Sequence, residues 1–151
     1  MAGLPLIETA TGRGDIARQV GDAAAAQRHY ERALTLARTV RARYAEIRAG
    51  TALGYVQLRD IGASSARESF RRAEQVAREG GWLLERANAL IGLGECDSRQ
   101  RRVLAAHRHL LAALDVFDSV GSRQGVVNAL TGLGDACRMV AWGDDAHGWF
   151  S

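Results

Sequence analysis

Lysine is absent from the 151 residues, and all 20 basic side chains are arginine. We read this as the coding bias of a GC-rich gene rather than as phosphate chemistry. The 17 acidic residues are interleaved with the arginines and leave a net charge of only +3. Nucleic-acid binders gather positive charge on one face. Here only Arg99, Arg101 and Arg102 cluster, in an expected turn, so no nucleic-acid partner is expected. Proline is almost absent too, one residue against 17 glycines, which suits helices joined by short turns. Cys96 and Cys137 are the only cysteines, and both are expected in helices as buried free thiols of a reducing compartment. No apolar run reaches the length of a membrane span, and residues 1–20 lack the charged start and apolar stretch of a signal peptide. A cytoplasmic protein without membrane contact is therefore expected.

What is present is a phrase at a fixed interval. Leu53-Gly54, Leu93-Gly94 and Leu133-Gly134 are 40 residues apart (94 − 54, 134 − 94), and Gly14 lies one step earlier. Ala26, Ala66, Ala106 and Ala146 keep the same step, as do Tyr30, Phe70, Leu110 and Phe150, and Ala33, Ala73 and Ala113 complete the frame. Small and large apolar positions held in phase along nearly the whole chain are an internal repeat, which points to a stacked array and to a binding scaffold. Its units run over about 4–41, 42–81 and 82–121, with a partial unit at 122–151.

Leu-Gly in one helix, followed by Ala-x3-Phe in the next, resembles the tetratricopeptide repeat (TPR) family, and Gly54, Ala66, Phe70 and Ala73 carry that spacing. The six residues beyond the usual 34 or so are similar to the long-repeat variety of bacterial signalling ATPases, MalT-type regulators and animal polarity adaptors. The resemblance implies an all-α, right-handed α-solenoid of antiparallel helix pairs, with the first helix of each pair lining the concave side. Two features depart from the family: its Tyr three residues after the Gly is replaced by Ala17, Gln57, Asp97 and Cys137, and its closing Pro is missing.

Helices are expected over about 6–20, 23–39, 42–58, 64–78, 82–96, 103–119 and 123–140, then a turn at Trp142-Gly143 and a cut-off helix from Asp144. Asp22 is the expected N-cap of the second helix, Gly80-Gly81 should close the fourth by taking the left-handed conformation, and Gly121 should end the sixth. Gly94 and Ala106 should let paired helices approach closely, and Arg67 should lie in solvent with Glu68, Arg71, Arg72 and Glu74.

The resemblance places the groove at fixed offsets from each Leu-Gly: Arg48, Thr51, Tyr55 and Arg59 in the second unit, Asn88, Glu95 and Arg99 in the third, and Asn128, Thr131, Asp135 and Arg138 in the fourth. Asn88 and Asn128 share a register, and a carboxamide can pair with both N–H and C=O of an extended peptide. Asp15 with Arg18, Glu95 with Arg99 and Asp135 with Arg138 should form intrahelical ion pairs. That leaves a groove of mixed charge, suited to a mixed or neutral peptide. The family's carboxylate clamp is not matched, because Asp15, Tyr55, Glu95 and Asp135 stand after the glycines.

Catalysis finds no set of residues. His107 and His109 diverge on a helix and cannot share a metal, and no glycine-rich phosphate loop follows a strand. A non-enzyme without cofactor or metal is expected, binding a protein or peptide partner. The alternatives are a sensor arm of a larger bacterial ATPase or transcription regulator, and a scaffold that self-associates through Trp142, Trp149 and Phe150.

Overall fold

The chain reverses direction about every 20 residues, and the reversals share one device. In the computed structural model, which describes the backbone of residues 3–149 and the side chains of residues 3–141, Gly21, Arg41, Gly81, Arg101 and Gly121 all take the left-handed conformation. The residue after each closes the turn by donating its N–H five residues back, as Asp22 does to the Ala17 carbonyl at 2.9 Å and Trp82 to Ala77 at 2.9 Å. At Ile61 the β-branched side chain resists that conformation (φ −121°), yet Gly62 closes the turn in the same way, donating to Gln57 at 2.7 Å.

These turns delimit seven helices among the described residues: α1 (Gly3–Gln19), α2 (Ala23–Thr39), α3 (Arg43–Asp60), α4 (Ala63–Gly80), α5 (Leu83–Arg99), α6 (Val103–Val120) and α7 (Arg123–Trp149). Asp22 caps α2, its carboxylate accepting the Ala25 N–H at 3.0 Å. One expectation fails: there is no turn at Trp142-Gly143, and α7 runs on to Trp149. Neither residue forces a break, since a glycine inside a helix costs only about 1 kcal/mol and the only proline is Pro5. The side chains of Trp142 and Trp149 and all of Phe150 lie outside the described residues.

Each helix packs on its neighbours in sequence, and α1, α3, α5 and α7 also touch one another in turn, whereas α2, α4 and α6 do not. Odd helices drawn together and even helices splayed apart bend the stack, which makes the odd helices its concave side. This is the all-α, right-handed solenoid of antiparallel pairs. Its core is distributed, in keeping with such an array. Ile7, Ala10, Ala33, Ala37 and Ala49 form one cluster, and Ala17, Ala26, Tyr30, Leu53 and Val56 another. Ile47, Val76 and Ala89 belong to a third, and the largest runs from Leu58 through Phe70, Leu110 and Phe117 to Ala136.

The repeated glycine turns out to be a socket. A Cβ on Gly14 would stand 2.6 Å from the Tyr30 ring, on Gly54 2.7 Å from Phe70, and on Gly94 2.6 Å from Leu110. The same large side chain also presses on the next odd helix: a Cβ on Gly92 would lie 2.4 Å from Phe70, and on Gly132 2.9 Å from Leu110. One buried residue per unit thus bolts its own pair to the following one, which explains why the frame couples Gly with a large residue 16 positions on (70 − 54). The cysteines divide: Cys96 is buried, but Cys137 is exposed, contrary to expectation. Cys137 occupies the register of Gln57 and Asp97, whose side chains point to the second helix of their own pairs.

Candidate functional site: the concave groove

Three adjoining cavities open on the concave face, and Tyr55 of α3 lines all of them. In one of about 400 Å³, Tyr55 meets Arg48 and Thr51 from its own helix and Asn88 from α5. Another, of about 610 Å³, joins it to Glu95 and Arg99 of α5 and to Asn128, Thr131 and Asp135 of α7. A smaller one of about 320 Å³ holds Arg59, Glu95 and Arg99 beside it. Ten of the eleven residues expected in the groove therefore line these spaces, and the 40-residue frame puts them there by turning the same face of each odd helix inward. Arg138 stands apart: it is exposed, pairs with Asp135 and lines none of the three.

Tyr55 is held edge-on to Phe70, ring centroids 4.9 Å apart at 75°. This contact fixes it as a rigid platform on the same aromatic residue that bolts the repeats together. Burial, with help from Glu95 and Cys96, pushes its phenol far above the ordinary range, so the ring stays neutral with its hydroxyl a donor. The Glu95 carboxyl is also raised, first by desolvation within the groove walls and further by Asp135, against the pull of Arg99. The two carboxylates therefore feel each other across the larger cavity.

Two of the expected ion pairs form, Asp15 with Arg18 at 3.8 Å and Asp135 with Arg138. The third is replaced. Arg99 Nη1 donates to the Leu58 carbonyl at 2.6 Å, because the unpaired carbonyls at the end of α3 draw the guanidinium of the next odd helix. Asn88 is exposed, and Asn128, also exposed, accepts from Gln124 Nε2 at 3.0 Å.

Sequence reasoning missed part of the lining. Tyr44 and Glu85 also face these cavities, because the inward stripe of each odd helix runs one turn further towards its N-terminus than the offsets trace. Tyr44 and Glu85 lie ten and nine residues before their Leu-Gly glycines, 54 − 10 and 94 − 9, one turn before Arg48 and Asn88, and extending the stripe by that turn would have found them.

Behind the groove, the register where tetratricopeptide repeats carry Tyr has become a polar link in the second and third pairs. Gln57 accepts from Ser69 at 2.6 Å in the second unit, and in the third Asp97 Oδ2 meets His109 Nδ1 at 2.5 Å. Asp97 has no solvent-exposed surface, and its other oxygen takes the Arg67 guanidinium, which also donates to Gln100 Oε1 at 2.6 Å. Arg67 is thus no surface residue, as its place on the polar side of α4 implied. It reaches to the next odd helix and, with His109, satisfies a carboxylate that would be costly to bury unpaired. Beside this network the buried Cys96 thiol is pushed up to about 11, mainly by desolvation, which makes it a poor nucleophile at neutral pH.

No protein-family model matches this chain, and no curated protein resembles it in sequence. Among solved structures it superposes on the crystal structure of the apo form of RapI with a TM-score of 0.83, over 88% of this chain and 48% of that one, at 16% identity. The chain spans about half the length of RapI. At that identity the likeness is one of fold, and the fold is a TPR-like array of helical repeats.

Proposed function

We propose that this chain is a non-catalytic scaffold that binds an extended segment of a protein or peptide partner along its concave face. The observation that carries the reading is the meeting of three cavities at Tyr55, rimmed by polar side chains from three successive odd helices. Equivalent atoms on packed helices lie about 8–10 Å apart, and an extended strand advances about 3.3 Å per residue. Asn88 and Asn128 would therefore meet a peptide backbone at about every third residue, while Tyr55 and Arg48 read side chains. The 40-residue unit supports placing the array in the long-repeat TPR variety, and the interleaved charge favours a peptide over nucleic acid. That no helix among the described residues is long and apolar enough to cross a membrane accords with a cytoplasmic partner.

The non-catalytic reading draws support from where the reactive groups have gone. Cys96 is buried, and Asp97 and His109 are tied to each other and to Arg67. A second reading, a segment of the sensor arm of a larger regulator, is favoured by the fold match covering half of RapI.

The test is capture of a partner on the immobilised chain, followed by calorimetric titration of the Asn88→Ala/Asn128→Ala variant. Each lost neutral hydrogen bond should cost about 0.5–1.5 kcal/mol of affinity without unfolding. Undiminished affinity of the double variant would move the site to the convex surface around Arg71, Arg72 and His107.

A further inference from the structure

At the α1 end of the concave face lies a cavity of about 660 Å³ that the groove offsets reach only in part, through Arg48 and the equivalent Glu8, Thr11 and Asp15 of α1; Tyr44 of α3, Arg41 of the preceding turn, Trp82 before α5 and Ile7 of α1 complete its walls. Its four distinctive residues all depart from the repeat. Where this unit has Tyr44, its sisters have Leu4, Leu84 and Gln124, and where the third has Trp82 the others have Ala42 and Ser122. Arg48 stands against Glu8, Asn88 and Asn128. The turns into α5 and α7 put Gly81 and Gly121 at the left-handed position (φ 75° and 74°), yet the turn into α3 forces Arg41 into it at φ 56°. The repeat frame calls for none of these, and the last is conformationally strained, as residues kept for a ligand often are.

The chemistry of the cavity is specific. Tyr44 and Trp82 are tilted at 50° with centroids 6.2 Å apart, Tyr44 is 43% exposed, and Ile7 floors the space. Arg41, Arg43 and Arg48 face Glu8 and Asp15. Asp15 is engaged by the Tyr30 hydroxyl at 2.5 Å and by Arg18, and Arg43 lies 3.8 Å from Glu79. Glu85 also stands near Arg48 in the adjoining cavity, but within this one three guanidiniums outnumber two carboxylates, so the site favours an anion beside an aromatic surface. Arg48 follows Tyr44 by four residues and shares its helix face, placing guanidinium and ring within one residue's span of each other.

We infer that this cavity takes the C-terminal residue of the bound peptide, an aromatic side chain against Tyr44 and Trp82 with its α-carboxylate on Arg48 and Arg41. A terminal residue carries both groups on one Cα, and an internal segment would need a separate acid to reach the same arginines. The inference rests on the peptide-groove reading, and it sets the direction of the peptide, ending at α1.

The probes are N-acetylphenylalanine and its amide, titrated into the full ¹⁵N-labelled chain and followed by the amide and indole resonances of Tyr44, Arg48 and Trp82. The acid should bind at least roughly tenfold tighter than the amide, the effect of a charge-assisted bond. Arg48→Gln should erase that preference. Arg41→Gly, which restores the residue of the sister turns and cannot strain the fold, should reduce it. Equal binding of acid and amide would leave only an apolar surface and overturn the proposal. So would a preference that survives Arg48→Gln, or no shift with either probe at millimolar concentration. The Asn88→Ala/Asn128→Ala variant should bind N-acetylphenylalanine unchanged, so failure of the groove and failure of this cavity give different results.

Discussion

Replacing Arg67 with Leu tests whether the polar link behind the groove is structural. Arg67 keeps 18% of its side chain exposed and Asp97 none, so the substitution leaves a buried carboxylate without its guanidinium. Breaking a buried pair by removing one partner costs about 3–5 kcal/mol. His109 stays on the other Asp97 oxygen, and the aliphatic Leu still covers part of α5, which brings the expectation to about 2–3 kcal/mol. For a chain of this length 1 kcal/mol moves the melting temperature by about 2–4 °C, so a fall of roughly 5–10 °C should appear by circular dichroism. The control is Arg71→Leu one turn along, whose side chain is 68% exposed and lies 3.9 Å from Glu68, and which should shift the melt by little. A double-mutant cycle with Asp97→Asn should return a coupling of about 1–3 kcal/mol, since the amide no longer needs a counter-charge. Melting of Arg67→Leu within a degree of Arg71→Leu, or strictly additive effects in the cycle, would refute the reasoning.

Four more outcomes are expected. Gly54→Ala and Gly94→Ala drive a methyl into Phe70 and Leu110 and should each cost about 1–3 kcal/mol by urea titration, whereas Gly12→Ala, with no described atom within 4 Å, should be neutral or stabilising. Arg101→Gly relieves a left-handed arginine at φ 59° and should raise stability by about 0.5–1 kcal/mol. A thiol reagent at pH 8 should label Cys137 at once and Cys96 only on unfolding, given a thiol pushed up to about 11. Tyr30, raised to about 12 chiefly by burial and then by Asp15, favours its neutral form when folded. Stability should therefore hold up to about pH 10, where the unfolded phenol ionises, and fall between there and pH 12, less so in Tyr30→Phe.

The sequence by itself determined the architecture. A 40-residue period, with Gly, Ala and one large residue at helical spacing within each unit, reads as stacked helix pairs, and local chemistry such as Asp22 at an N-cap or Gly81 and Gly121 at helix ends marks boundaries without reference to anything distant. The inward stripe that carries Arg48, Tyr55, Asn88 and Asn128 was legible for the same reason, since a repeat fixes which face of each helix points to the axis. What the tertiary structure alone decided is pairing between units. Arg67 reads as solvent-facing in its own helix, and its partner Asp97 lies 30 residues away (97 − 67) on a helix that only the stacking angle brings within reach. Arg99 likewise chose the Leu58 carbonyl over Glu95 one turn away, because helix ends in adjacent units meet there. The cavity of Arg41, Tyr44, Arg48 and Trp82 draws on α1, α3 and the turns before α3 and α5, and no single helical period spans them. Periodicity reports how each helix faces the stack. Where a long side chain ends up depends on distances between helices, and those are set by the volumes of Tyr30, Phe70 and Leu110 in their glycine sockets.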